Sequence, residues 1–148
     1  MKKTVLCLTM AVAPIFIFSS LATTQANEEE TVKEAWASIE GFFDAFNKED
    51  NDALQQYMTF PHMFLNRNGS VSVSEERWDM NFEAMKERQD WVKSTLDSHE
   101  VTMVFPDKVH FKIVFGRVNT KGEKYYTKEG VYIATKKDAK WGLQVRSY

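Results

Sequence analysis

The chain has 148 residues and a formal net charge of −2, with 43% hydrophobic, 14% aromatic and 27% charged residues. These values are typical of one soluble globular domain with a single core, and they exclude an intrinsically disordered chain. No segment repeats itself along the sequence, which excludes a solenoid. Length and composition therefore limit the fold class and leave the function open.

The N-terminal segment has the order of charged, apolar and small residues found in secretory signal peptides. Two lysines precede the apolar run Val5–Phe18, and small residues follow it. The run is shorter than the ~20 residues that span a bilayer, so an uncleaved membrane anchor is the weaker alternative and no stable anchor is expected. We predict a signal peptide over residues 1–26, cleaved after Ala26 or alternatively at Ala22, and a periplasmic or secreted domain over residues 27–148.

Removal of this segment changes the chemistry that the chain can use. It takes away two of the 19 basic side chains and the single cysteine, which leaves 17 basic and 21 acidic side chains and a charge of −4. A mature chain without cysteine has no disulfide and no thiol nucleophile. An acidic domain without a lysine and arginine cluster is also a poor candidate for binding nucleic acid, which depends on phosphate neutralisation. No nucleic-acid partner is expected.

Apolar residues spaced three or four apart predict two helices in the first part of this domain. The first begins near the acidic run Glu28–Glu30, because acidic residues suit the positive end of a helix. Its apolar stripe contains Val32, Trp36, Ile39, Phe43 and Phe46. Asp50 or Asn51 can cap a short second helix, which Pro61 is expected to end.

A hairpin and a third helix are predicted next. The dipeptide Asn68-Gly69 favours the tight turn of a hairpin between two short strands. Ser72 and Glu75 match a capping box, which predicts a third helix of roughly 20 residues. Its apolar stripe runs through Trp78, Phe82, Met85, Val92 and Leu96.

From Glu100 onward the apolar period changes to two, which is typical of strands. Four strands are predicted, over Glu100–Phe105, Lys108–Asn119, Glu123–Lys136 and Lys140–Tyr148. The breaks between them have the length of hairpin turns. Helices followed by an antiparallel meander predict an α+β fold in which the helices cover one face of a curved sheet.

The order of these elements resembles the nuclear transport factor 2-like superfamily, and in particular its SnoaL-like proteins. Residues 42–58, FFDAFNKEDNDALQQYM, are similar to the end of the family's first helix and its capped second helix, and residues 140–147, KWGLQVRS, to its closing strand. The segments FPH at 60–62 and KVHFKIVFGRVNTKGE at 108–123 resemble a narrower group of SnoaL-like proteins of uncharacterised type.

The resemblance implies a cone-shaped fold, with three N-terminal helices packed on a curved, mainly antiparallel sheet and a pocket between the first helix and the inner sheet face. It also implies a homodimer formed through the sheet, which the spread of Tyr125, Tyr126 and Tyr132 over both faces of one strand supports. It does not identify an activity, because the fold hosts isomerases, dehydratases, cyclases, hydrolases and binding domains. The catalytic Asp and Tyr arrangement of the steroid isomerases is not recognisable.

His62 is the first of two candidate catalytic residues. An imidazole has an unperturbed pKa near ~6.5 and can act as an acid or a base at ambient pH. Pro61 lacks a backbone donor and holds the chain away from the helix, so His62 can project where that helix ends. The alternative is that its ring caps the preceding helix.

Arg117 is the second candidate catalytic residue. It continues the apolar face of Phe115 on a predicted strand, where a charge needs a partner. One interpretation is an ion pair with Glu129 or Asp44, and the other is recognition of an anion or carbonyl group by the guanidinium. Gly116 next to it would let a ligand approach the backbone closely.

Four further residues are candidates for binding a ligand. Trp91 lies off the main stripe of the predicted third helix and would face a pocket mouth or an interface. Gln89 lies on that stripe, either at a solvated edge or in a pocket, and Tyr57 belongs to the aromatic residues that would surround the cone. His110 points away from the core on a strict period of two, unless a bulge or a partner changes its surroundings. We expect His62, Trp91 and Arg117 to border one cavity.

The function favoured by these residues is binding of a small, mostly apolar molecule in an aromatic-lined pocket. The alternative is a cofactor-free isomerase, dehydratase or hydrolase that uses His62 and Arg117 in acid–base chemistry. The absence of a recognisable carboxylate–histidine pair favours binding, and a cone filled with side chains would favour a structural or interaction protein. No metal and no cofactor are predicted, because the histidines match no metal-ligand spacing, and His99 is expected to be solvated.

Overall fold

The structure of the protein, a computed structural model, describes residues 18–148, with side chains from residue 25 onward. The apolar run and the charged start of the predicted signal peptide lie largely outside these residues. The described helices are α1 (Phe18–Asn47), α2 (Asn51–Gln56) and α3 (Phe82–Gln89). The strands are β1 (Met58–Leu65), β2 (Val71–Ser74), β3 (Trp91–Phe105), β4 (Lys108–Asn119), β5 (Lys124–Lys137) and β6 (Lys140–Ser147).

The six strands form one mixed sheet in the order β2-β1-β6-β5-β4-β3. The meander β3–β6 is antiparallel throughout, as the hairpin-length breaks from Glu100 onward predict. β1 lies next to β6, on the side opposite β5, and pairs with it in parallel. β2 pairs with β1 in an antiparallel hairpin. The α+β class with helices packed on a curved, mostly antiparallel sheet is confirmed.

The core lies between α1 and the inner face of the sheet. The helix contributes the predicted stripe, with Ile39, Phe43 and Phe46 all buried. Alternate residues of β4 meet it, because successive side chains of a strand point to opposite faces. Burial of each large apolar side chain contributes about 1.5–3 kcal/mol to stability. The buried apolar residues of β4 are Val109, Phe111, Ile113 and Phe115.

The third helix is much shorter than predicted. It spans Phe82–Gln89, its N-cap is Asn81, and Asp90 ends it in a left-handed conformation with φ 50°. The residues from Trp91 onward, predicted as helix, form β3 instead. Ser72, the expected cap, is part of β2.

Three other local predictions also need correction. Pro61 does not end α2, which stops at Gln56, and lies inside β1. His99 is part of β3 instead of a polar loop, and its exposed ring stacks on Trp36 with the centroids 3.7 Å apart. α1 already includes Phe18, the first residue that the structure describes, so the helix extends ahead of the acidic run where it was expected to start.

Gly142→Ala is expected to destabilise the protein by about 1–3 kcal/mol, because overpacking would push β1 away from β6. A Cβ at this position would lie 2.5 Å from Thr59 Oγ1 and 2.6 Å from the carbonyl carbon of Met58. Urea unfolding measures the change. The control Ser98→Ala, on the exposed part of β3, should change the free energy of unfolding by less than about 0.5 kcal/mol. A Gly142→Ala protein as stable as the wild type would contradict the close β1–β6 packing.

Candidate functional site

A cavity of about 190 Å³ lies between α1 and the inner face of the sheet. Its wall is mostly aromatic, and every strand from β3 to β6 contributes to it. Two arginines, on strands that flank β5 on either side, are the only charged side chains among its described lining residues. The lining consists of Phe42, Phe43, Phe46, Phe64, Trp78, Met80, Ser94, Phe115, Arg117, Tyr132, Arg146 and Tyr148.

Arg146, on β6, is a buried cation with an exposed fraction of 5%. Its Cζ lies 4.4 Å from the centroid of the Trp78 ring and 5.2 Å and 5.4 Å from those of Phe42 and Phe64. Aromatic faces carry partial negative charge, so these contacts stabilise the guanidinium. The three rings also fix its position at the cavity wall.

His62 lies directly behind Arg146 and is 1% exposed. Its Nε2 accepts a hydrogen bond of 3.1 Å from Arg146 Nε. An arginine nitrogen can only donate, so the histidine hydrogen is on Nδ1, which lies 3.2 Å from the carbonyl oxygen of Leu143 and donates to it. Burial, and then the charge of Arg146, lower the pKa of His62 to about 3. His62 is therefore neutral near pH 7 and orients Arg146.

Arg117, on β4, lines the cavity as the period of two predicts. Its Nη1 donates to Oε1 of Gln89, the last residue of α3, and its Cζ lies 5.1 Å from the centroid of the Tyr126 ring. The ion pair considered from the sequence does not form, because Glu129 pairs with Lys112 and Asp44 pairs with Lys48. Arg117 Nε is buried and, within residues 18–148, has no hydrogen-bond partner.

The charged side chains in the lining of the cavity are both cationic, although the chain as a whole has a net negative charge. In the described part of the chain, no carboxylate lies within 4.0 Å of a guanidinium nitrogen of Arg117 or Arg146. Tyr132 adds a hydroxyl group to the lining, and burial raises its pKa far above the usual range, so this hydroxyl stays protonated. The arrangement presents hydrogen-bond donors within an aromatic wall.

The structure brings only part of the predicted site together. Arg117 lines the cavity, and Gln89 accepts a hydrogen bond from it. His62 and Trp91 lie one layer behind the lining. Trp91 is 2% exposed, packs against Phe46 and Phe82, and donates from Nε1 to Ser94 Oγ at 3.1 Å. Of the three residues expected to border one cavity, only Arg117 lines it.

The two other candidates lie outside the cavity. Tyr57 is half-buried at the end of α2, where its ring packs over Gly41. His110 is on the outer face of the sheet near Phe105, and its Nε2 is buried without a hydrogen-bond partner among residues 18–148. Across that same range, no three His, Cys, Asp or Glu side chains are grouped closely enough to hold a metal ion.

Arg146 is the functional candidate that the sequence pattern missed. A strict period of two from the buried Leu143 places Arg146 on the outer face. The β5–β6 register shifts between Ile133 and Ala134, so that Arg146 lies opposite Tyr132 and faces inward with Leu143. A bulge of this kind inverts the faces of the residues that follow it.

The architecture matches solved structures with the nuclear transport factor 2-like fold. A nuclear transport factor 2-like protein with a cystatin-like fold from Novosphingobium aromaticivorans superposes with a TM-score of 0.66 at 12% identity, over 91% of this chain and 90% of that one. A candidate aromatic ring hydroxylase from the same organism gives 0.56 at 14% identity, over 80% and 87%. The association domain of C. elegans CaMKII gives 0.55 at 13% identity, over 81% and 95%.

These likenesses establish the fold, and the different descriptions of the three proteins show that the fold does not determine an activity. No protein-family profile matches the sequence, and no curated protein matches it. The functional argument therefore depends on the cavity itself.

The neutral state of His62 makes stability depend on pH. Its pKa is about 6.5 in the unfolded chain and about 3 in the folded one, so below pH 6.5 the unfolded state binds a proton that the folded state does not. The stability that neutral His62 contributes is fully present above pH 6.5 and is lost as the pH falls towards 3. The protonation of His62 in the unfolded chain should, by itself, lower the free energy of unfolding by about 2 kcal/mol between pH 8 and pH 5.

Urea unfolding at both pH values measures this drop. His62→Gln, which cannot titrate, should lose that part of the pH dependence. The control His99→Gln changes an exposed histidine and should retain the pH dependence that comes from His62. An unchanged pH dependence in His62→Gln would show that His62 does not remain neutral in the folded protein.

Proposed function

We propose that the protein is an exported domain that binds a small, mostly apolar molecule. The observation that carries this proposal is the aromatic cavity of about 190 Å³ between α1 and the sheet. A cavity of ~150 Å³ lined by apolar side chains holds a molecule of the size of benzene. The site therefore suits a ligand with one ring or a comparable apolar body.

Acid–base catalysis by His62 and Arg117 has less support. Both ring nitrogens of His62 are hydrogen-bonded within the fold, and Arg146 separates the ring from the cavity. A guanidinium stays protonated at ordinary pH and does not act as a base. Arg117 lines the cavity and His62 orients Arg146, which also lines it, so binding accounts for these side chains more fully than proton transfer does.

A homodimer formed through the sheet is the assembly we propose. β3 is an edge strand of 15 residues in the described sheet, and Val101, Met103 and Phe105 on it are exposed. Val131 on β5 is 41% exposed. Long edge strands and exposed apolar residues favour association.

Light scattering at micromolar concentration should give about twice the monomer mass. Val131→Asp should shift the protein towards the monomer, because a charge would be buried in the interface. Val71→Asp changes a residue that is 58% exposed on β2, at the other end of the sheet, and should leave the mass unchanged. A monomeric wild-type protein would refute the dimer.

Benzamide, a neutral one-ring compound, is a suitable probe for the binding proposal. Saturable NMR shifts are expected for Phe43, Phe115 and Tyr132, which line the cavity. Met80→Trp should abolish them by filling the space, whereas Leu65→Trp, at an exposed position of β1 outside the lining, should preserve them. Shifts confined to the outer surface, or none with any one-ring probe, would overturn the proposal.

A further inference from the structure

We propose that the ligand of this cavity is a one-ring aromatic carboxylate, held at its carboxylate by Arg146 and Arg117. The inference rests on the proposed binding function and specifies the class of ligand. It starts from two cations that line an apolar cavity and have no acidic partner among the described residues.

The buried guanidinium of Arg146 is the main evidence for an anionic ligand. A charge removed from water is unfavourable unless hydrogen bonds or an opposite charge compensate for it. Among the described residues, Arg146 makes one side-chain hydrogen bond, from Nε to His62. Its two terminal nitrogens are not among the fully buried unpaired atoms of this part of the chain, so they face the open space of the cavity that Arg146 lines. A carboxylate can accept hydrogen bonds from such a guanidinium in a charge-assisted pair.

Further donors surround the same space. Arg117 Nη1 is held by Gln89, and the buried Nε has no partner in the part of the chain that the structure describes. Tyr132 lies opposite Arg146 in the β5–β6 register, and its hydroxyl group can donate. A carboxylate has two oxygens and about four acceptor positions, enough for donors on both arginines and on the tyrosine.

The remaining wall indicates the body of the ligand. Rings of Phe42, Phe43, Phe46 and Phe115 cover much of the cavity, and aromatic rings pack favourably edge-to-face with another ring. A small inorganic anion would leave this apolar surface uncovered. The volume is also below the ~300 Å³ at which pockets for drug-sized ligands begin, so a single ring fits better than a fused system.

Calorimetric titration with benzoate and benzamide at pH 7.5 tests the inference, because the two compounds differ mainly in charge. Benzoate should bind about 10- to 100-fold more tightly than benzamide, which is the range expected for hydrogen bonds to a charged group. Hexanoate, an aliphatic carboxylate, should bind more weakly than benzoate. Equal affinity for benzoate and benzamide would overturn the carboxylate assignment while leaving the binding function intact, and tighter binding of hexanoate would overturn the aromatic assignment.

Arginine variants show which arginine produces the preference for benzoate over benzamide. Arg146→Met keeps an apolar side chain of similar length and should weaken benzoate binding about 10- to 100-fold, with a much smaller effect on benzamide. Arg146→Lys keeps the charge without the planar fork and should retain part of the preference. The control Arg67→Met removes an exposed cation in the β1–β2 turn and should change neither affinity.

If Arg146→Met does not fold, the wild-type ratio of benzoate to benzamide affinity still tests the carboxylate assignment. Arg117→Met, which should weaken benzoate binding more than benzamide binding, then tests the second arginine. An Arg146→Met protein that folds and binds benzoate like the wild type would overturn the role of Arg146. Failure of both compounds to bind the wild-type protein would overturn the binding function as well, which distinguishes the two proposals.

Discussion

The need to accommodate the positive charge of Arg146 inside the domain organises much of the structure. A buried charge has to be compensated, and here three aromatic rings and the neutral ring of His62 provide the protein's part of that compensation. This requirement fixes the tautomer of His62. It also connects β1 to β6 at the point where the two strands run in parallel. The cavity lies on the side of the guanidinium that the protein leaves uncovered.

Much of the fold could be predicted from the sequence, because its strongest patterns are local. The apolar stripe of α1, the Asp50 cap of α2 and the alternating residues of the meander each depend on neighbours a few positions away. The predicted length of the third helix was wrong for the same reason, because Val92 and Leu96 fit both a helical stripe and a strand. The left-handed conformation of Asp90 ends α3 and decides between them, and nothing in the helical pattern predicts it.

The site was harder to predict because it depends on strand register. Arg117 follows the parity of its own strand, so its position at the cavity was accessible from the sequence. Arg146 was not, because a register shift between β5 and β6 turns it inward. The role of His62 depends on two atoms of β6, the Leu143 carbonyl oxygen and Arg146 Nε. A local pattern around His62 could identify the residue but not its partners.

The separation of His62 and Arg146 by 84 positions in the chain has a thermodynamic consequence. No single helix or hairpin contains both residues, so the cavity wall exists only when β1 and β6 are docked together. A ligand that contacts Arg146 is then linked to the folding equilibrium of the whole domain, since any ligand that binds only the native state stabilises it by mass action. Opening of either strand would separate Arg146 from His62 and take the cavity wall apart, so a ligand held there would be released with it.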